Sequence, residues 1–285
     1  MDLIQDNRMI KKRKKLNRIF KEKFLDNIIH QSSDQYGTIQ VLDDGLTRSL
    51  HFDSIEKQSC FDPKRPEFLV LSYTRSMMAG FLMNPKATRF LNIGLGGGSI
   101  PRFLLHNVED CRIDTVELRK SVVDIAGEYF LLPNDDRLKV IVEDAYEFVM
   151  NNRFQRYDMI FVDAFEHNGI ADAVVNELFF KNCQSLLNPN GVFCINFWSE
   201  PKDICKKIRK RLNAAFSSHL LEIPVEDRTN RIGFGLFPAD STYSLMTLKK
   251  RSRILQNKFA LDFPEFLKDM LKYNDAYFKQ IDVIK

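Results

Sequence analysis

From residue 87 onward the chain alternates short apolar runs with amphipathic stretches. "ATRFLNIG" (87–94), "CRIDTVEL" (111–118), "LKVIVED" (138–144), "YDMIFVDAF" (157–165) and "GVFCINFWS" (191–199) predict five strands. Between them, "SIPRFLLHN" (99–107), "SVVDIAGEYF" (121–130), "AYEFVMNN" (145–152) and "ELFFKNCQSLL" (177–187) carry apolar residues at helical spacing. Ser99 is the expected N-cap of the first of these helices, with Pro101 in its first turn, and "NPNG" (188–191) is an expected turn. Continuous apolar strands alternating with helices predict a parallel sheet covered on both faces, an α/β fold of the Rossmann-like, methyltransferase type. Upstream, "YGTIQVLDDGLTRSLHFD" (36–53) holds two β-rich runs around Asp43-Asp44-Gly45, a hairpin signal. "FLVLSYTRSMMAGFLM" (68–83) predicts a connecting helix. Downstream, a basic helix near 201–213, strand-like "SHLLEI" and "RIGFGLF", and a largely helical 243–285 complete the pattern. The expected organisation is a basic arm (1–32), a small β domain with its connecting helix (33–84), a Rossmann-like domain with antiparallel edge strands (85–242) and a helical extension (243–285).

Length and composition add limits. The chain has 285 residues, 44% hydrophobic and 28% charged, an ordinary globular balance with room for one large domain and a small one. No apolar stretch approaches the roughly 18–20 residues of a membrane span. Five scattered cysteines without CxxC spacing argue against a disulfide framework and a zinc site, so a reducing, cytoplasmic setting without a metal is expected. Cys194, inside "GVFCINFW", reads as a small core residue. Residues 1–23 hold nine Lys or Arg against three acids, leaving the rest of the chain near −2. "MIKKRKKLNRIF" is read as a solvated arm, and neither nucleic acid nor membrane is the expected partner.

The chemistry concentrates in "NIGLGGGSIP" (92–101), a glycine turn between the first strand and first helix of the sheet. A P-loop is excluded because no Lys lies between Lys86 and Lys120. The G-x-G-x-x-G dinucleotide pattern fails at its third glycine, since Gly94 and Gly96 are followed by Ser99. A phosphate-free sulfonium nucleoside remains: S-adenosylmethionine or its decarboxylated form. Gly94, Gly96, Gly97 and Gly98 would let the backbone pass close beneath it. Acids then follow at successive strand ends: Glu117, suited to two ribose hydroxyls, Asp144, suited to an adenine amino group, and Asp163. For any one of them, a helix N-cap is the competing role.

Taken in order, "VLSYTRSMM", "GLGGGS", "TVEL", "VEDAYEFV" and "VDAFEHNG" resemble the spermidine/spermine synthase (polyamine aminopropyltransferase) superfamily over about residues 33–237, in its spermidine synthase-like branch. The resemblance implies a small β domain on a methyltransferase-like domain. It also implies aminopropyl transfer from decarboxylated S-adenosylmethionine to a diamine such as putrescine, leaving methylthioadenosine. It assigns ribose to Glu117, adenine to Asp144 and Ala145, the catalytic carboxylate to Asp163, and orientation of the amine to Tyr73. Gln58 would stand at the active-site rim, and Glu166 would grip an ammonium together with Asp163. Two copies associating through the β domain are implied as well. The physics agrees: a sulfonium cation and a diamine call for carboxylates, and the attacking amine must lose a proton.

Four positions depart from the family pattern. Ser99 stands near the place where the family has an acid that binds the donor's ammonium, and Glu166 replaces an Asp, His167 a Pro, and Gly37 a Gln. A neutral hydroxyl at a helix N-terminus tolerates a carboxylate, so S-adenosylmethionine-dependent methyl transfer stays open as an alternative. A non-catalytic nucleoside-binding protein is the third.

Overall fold

The structure, a computed structural model, describes residues 27–152, 155–166, 169–170, 175–216, 220–226, 229–237, 244–275 and 277–278. Strands are β1 (Ile28–Asp34), β2 (Gly37–Asp43), β3 (Arg48–Phe52), β4 (Ser59–Phe61), β5 (Arg89–Ile93), β6 (Arg112–Glu117) and β7 (Leu138–Val142), then β8 (Tyr157–Val162), β9 (Phe165–Glu166), β10 (Gly169–Ile170), β11 (Leu187–Trp198), β12 (Leu220–Pro224) and β13 (Asn230–Phe237). Helices are α1 (Ser72–Met77), α2 (Ser99–Asn107), α3 (Lys120–Phe130), α4 (Ala145–Asn151), α5 (Glu177–Ser185), α6 (Lys202–Phe216), α7 (Leu245–Phe259) and α8 (Phe263–Tyr273).

The main sheet has the order β12-β13-β11-β8-β5-β6-β7. β11, β8, β5, β6 and β7 run parallel, and β13 pairs antiparallel with β11 and β12. Helices on both faces explain why β5 and β8 read as unbroken apolar runs, with Phe90, Leu91, Ile160 and Phe161 fully buried. The chain crosses from β5 to β6 on one side and returns to β8 on the other. The crevice at the carboxyl ends of β5 and β8 is therefore the switch point where ligands gather in such sheets.

The small domain is a four-stranded antiparallel sheet, β1-β2-β3-β4. Its inner face, Ile39, Val41, Leu50 and Phe61, packs on Val122, Ile125 and Phe130 of α3. That stripe of α3 recurs at helical spacing and fixes the small sheet above the glycine turn. The expected hairpin is present: Asp43 and Asp44 carboxylates accept from the Gly45, Leu46 and Thr47 amides, and Gly45 adopts φ +81°. The C-terminal helices close the opposite side, with the Phe259 ring against Phe81, Phe103 and Phe263.

Several expectations need correction. The helix expected over 68–83 is only Ser72–Met77, continued by a 3-10 turn, Met78–Leu82. At Gly80 of that turn an added Cβ would meet Met159 Cε at 2.6 Å and Cys194 Sγ at 2.8 Å, so the segment lies directly on the sheet. Ser99 is not an N-cap. Gly98 occupies that position at φ +74°, and the Ser99 hydroxyl reaches the Ser59 hydroxyl and the Cys60 carbonyl instead. "NPNG" does not break the chain but is absorbed into β11 as a register shift, with Asn190 at φ +63°. β1 begins at Ile28, inside the stretch assigned to the basic arm, while residues 1–26 lie outside the described ones.

Candidate active site

The glycine turn is built by close approach. Gly94 adopts φ +90°, and a Cβ there would sit 2.2 Å from the Asp163 carbonyl oxygen, so only glycine lets β5 and β8 end side by side. Gly97 lies against Phe130 and Ser59, and Gly98 against Leu132 and Arg102. Above the turn is a cavity of about 300 Å³, in the range of small-molecule sites. Gly94, Gly96, Glu117, Asp144, Ala145, Asp163, Tyr73 and Gln58 all line it, whereas Gly97 and Gly98 do not. The three strand-end acids thus face one space.

Each acid is held differently. Glu117 ends β6 and is buried; its Oε2 accepts from the Leu95 amide (2.9 Å) and its Oε1 from the Arg119 amide (3.0 Å). Burial raises its pKa, against the pull of the Arg119, Leu95 and Gly96 amides and the Arg119 charge. Each oxygen keeps an acceptor site for a ligand hydroxyl. Asp144 caps α4, its Oδ1 accepting from the Tyr146 and Glu147 amides, and Oδ2 has no partner among the described residues. Cap and cavity wall are here one residue.

Asp163 follows β8. Its Oδ1 accepts from Asn196 Nδ2 at 2.9 Å, and its carboxyl is hydrogen-bonded to the Tyr73 hydroxyl. Burial pushes its pKa up to about 6, opposed by those two bonds. Asn230 Nδ2 in turn donates to Asn196 Oδ1 (2.9 Å), which locks the amide orientation. The Tyr73 hydroxyl also stands 3.3 Å from the Gln58 carbonyl oxygen.

A second, wider cavity of about 810 Å³ adjoins the first. Gln58 and Tyr73 belong to both, and Asn196, Trp198, Glu56 and Glu226 line the second. Asp163 lines the first cavity and is bonded to Tyr73, which faces both, and to Asn196, which faces the second. A buried carboxyl with its pKa raised toward neutrality is suited to exchange a proton with a group that reaches it.

Sequence inspection missed Asn196 and Asn230. The signal was present, since Asn196 is a lone amide within the apolar run "GVFCINFW" and is 1% exposed. Also missed were Tyr36 and Phe52, which reach the first cavity from the small sheet, and Ser59, which pairs with Ser99 on its wall. Behind that wall the buried Arg102 guanidinium bonds only carbonyls, those of Pro66, Gly97 and Phe130, and lies over the Phe61 ring. The Glu166 side chain and His167 lie outside the described residues. Among the described residues no three His, Cys, Asp or Glu side chains cluster as a metal site, and no helix is long and apolar enough to cross a membrane.

Comparison with known proteins bears on this arrangement. The spermine/spermidine synthase domain family matches residues 72–225. A polyamine aminopropyltransferase of Chromobacterium violaceum is 34% identical over 237 residues, covering 83% of this chain and 90% of that protein. A probable spermidine synthase from Corynebacterium glutamicum superposes with a TM-score of 0.67 at 19% identity, over 80% of this chain and 86% of the other. Human methyltransferase-like protein 13, solved in complex with SAH, gives 0.62 at 24% identity, over 67% of this chain and 93% of the other. The two structural likenesses concern the fold.

Proposed function

The chain belongs to the spermine/spermidine synthase domain family, and on that premise we propose that it is a transferase moving an aminopropyl group from decarboxylated S-adenosylmethionine to a diamine such as putrescine. The donor's nucleoside lies in the first cavity over Gly94 and Gly96, its ribose on Glu117, its adenine between Asp144 and Ala145. The amine enters through the second cavity, where Glu56 and Glu226, set among the cations Lys57 and Arg75, offer carboxylates to a remote ammonium and Trp198 offers an aromatic face. The attacking nitrogen gives up a proton to Asp163, and its lone pair forms the new N–C bond at the methylene carbon. The S–C bond breaks, its electron pair stays on sulfur, and methylthioadenosine leaves. Tyr73 and Asn196 orient the Asp163 carboxylate, so proton acceptor and nucleophile meet in a fixed geometry. By the family resemblance, Glu166 grips the attacking amine together with Asp163.

One observation carries this reading: Asp163, its pKa pushed up by burial to about 6, lines the first cavity and is bonded to Tyr73, which faces both cavities, and to Asn196, which faces the second. Purified protein given the decarboxylated donor and putrescine is expected to release methylthioadenosine and aminopropylated putrescine in equal amounts. No product from any diamine would overturn the reading.

A second reading, methyl transfer from S-adenosylmethionine, is favoured by the wall at the start of α2. Ser59 and Ser99 are neutral, and the charge behind them, on Arg102, is positive. Such a wall accepts a carboxylate more readily than an ammonium. Ser99→Asp is expected to shift relative affinity toward the decarboxylated donor by at least about tenfold, roughly 1.4 kcal/mol. Calorimetric titration with both donors checks this, and an unchanged ratio would remove Ser99 from donor selection.

A further inference from the structure

Residues 34–37 form the tip of the β1–β2 hairpin, and this tip is tied to the main domain at one point. Asp34 is the hub of the tie. Its Oδ1 accepts from the Tyr36 amide (2.9 Å) and from Arg119 Nη2 (2.8 Å), and its Oδ2 accepts from Arg119 Nε (3.0 Å) and the Ser121 hydroxyl. Arg119 Nη2 donates further to the Gly37 carbonyl (3.0 Å). The guanidinium is buried, 4.7 Å from the Phe52 ring centroid and 5.9 Å from that of Tyr36. These contacts hold the Asp34 carboxyl below its ordinary pKa although burial opposes them.

The other side of the tip is braced as well. Both Asp53 carboxylate oxygens accept from the Thr38 amide, and a Cβ on Gly37, at φ +111°, would fall 1.9 Å from Asp53 Oδ2. A side chain at residue 37 is strained by that positive φ and would displace the Asp53 carboxylate from the Thr38 amide, which favours glycine where the family resemblance implies a glutamine. What the tip carries is Tyr36, and both Tyr36 and Phe52 line the first cavity together with Glu117, Leu118 and Arg119. The same Arg119 whose amide fixes Glu117 thus fixes, through its side chain, the aromatic cover contributed by the small sheet.

We propose that Asp34 and Arg119 form a clasp that holds Tyr36 over the first cavity, making the hairpin tip the retaining cover of the bound nucleoside. The proposal rests on the donor site described above and adds to it positioning residues from outside the main domain. A clasp of this kind acts on binding. It lowers the escape rate of whatever nucleoside lies beneath Tyr36 and leaves the proton transfer at Asp163, which no residue of the clasp bonds, to other residues.

The test is equilibrium titration with methylthioadenosine, combined with steady-state kinetics for each substrate, on wild type, Asp34→Asn, Tyr36→Ala and Tyr36→Phe. Asp34→Asn and Tyr36→Ala are expected to weaken nucleoside binding about 5- to 10-fold. The donor KM should rise by the same factor, while the acceptor KM stays put and kcat changes less than twofold. Tyr36→Phe, which keeps the ring, is expected to bind within twofold of wild type. Tyr36 is 46% exposed, so its truncation leaves the fold intact and the outcome interpretable. Wild-type affinity in both Asp34→Asn and Tyr36→Ala would overturn the clasp while leaving the donor site standing. Absence of nucleoside binding in the wild type would overturn the donor site, and the clasp with it.

Discussion

Asp163→Asn is expected to lower turnover about 10²–10⁴-fold, the usual contribution of a positioned general base. The substitution keeps the shape, and its amide oxygen can still accept from Asn196. What it loses is the ability to take a proton. Wild-type kcat/KM for the donor reports the free enzyme and should fall about tenfold per pH unit below pH 6, where Asp163 becomes protonated. The break should be missing from the residual activity of the variant. Stability should move the other way. The folded-state pKa of about 6 exceeds the ordinary 3.8, so the folded chain binds the extra proton between those values and stability declines as pH rises through that window. Above pH 6 the wild type carries a penalty of about 3 kcal/mol that the amide lacks. A variant at once inactive and more heat-resistant at pH 7.5 than at pH 4, relative to wild type, would bear this out. Unchanged product formation would remove Asp163 as the base.

Much of this site was legible because its parts lie at strand ends. β5, β8 and β11 are covered on both faces and read as apolar runs, β6 and the half-exposed edge strand β7 keep enough apolar residues to read as strands, and the acid at or just past the end of each of β6, β7 and β8 falls at the carboxyl edge of the sheet. Glu117, Asp144 and Asp163 followed from that alone. The misses share another cause. β4 has three residues, too few for periodicity, yet it brings Ser59 to the cavity wall. Ser99 has the composition of an N-cap, but Gly98 in the left-handed region takes the role because the turn must fold under the cavity. Tyr36 and Arg119 are 83 positions apart, and no local pattern reveals that a guanidinium joins them. Tyr73 and Gln58 rested on resemblance, and the geometry supplies their physical link, since the Tyr73 hydroxyl bonds both Asp163 and the Gln58 carbonyl. Local pattern thus reveals what one element contributes, and partners brought together by the small sheet need coordinates.

Gly94→Ala is expected to cost about 10²-fold or more in turnover together with a clear loss of thermal stability. The residue's φ of +90° already disfavours any side chain, a strain of about 1–3 kcal/mol. Space adds the larger effect. The new Cβ would meet the Asp163 carbonyl oxygen at 2.2 Å, its carbonyl carbon at 2.8 Å and the Ala164 Cα at 3.3 Å, all backbone with no rotamer to yield. Either β5 or the end of β8 must retreat, and a displacement approaching 1 Å at a reacting group costs about 10²-fold. The movement also breaks the Asn92 Nδ2 bond to the Gly94 carbonyl, at 2.7 Å one of the ties that shape the turn. Gly127→Ala is the matched control. It lies in α3, exposed, with nothing within 4 Å of the added Cβ, and is expected to gain about 0.5–1 kcal/mol at unaltered activity. Melting curves and turnover measured on the pair separate a generic glycine effect from one transmitted through Asp163. Full activity in Gly94→Ala would mean that the turn and the catalytic carboxylate do not share the contact on which the site is built.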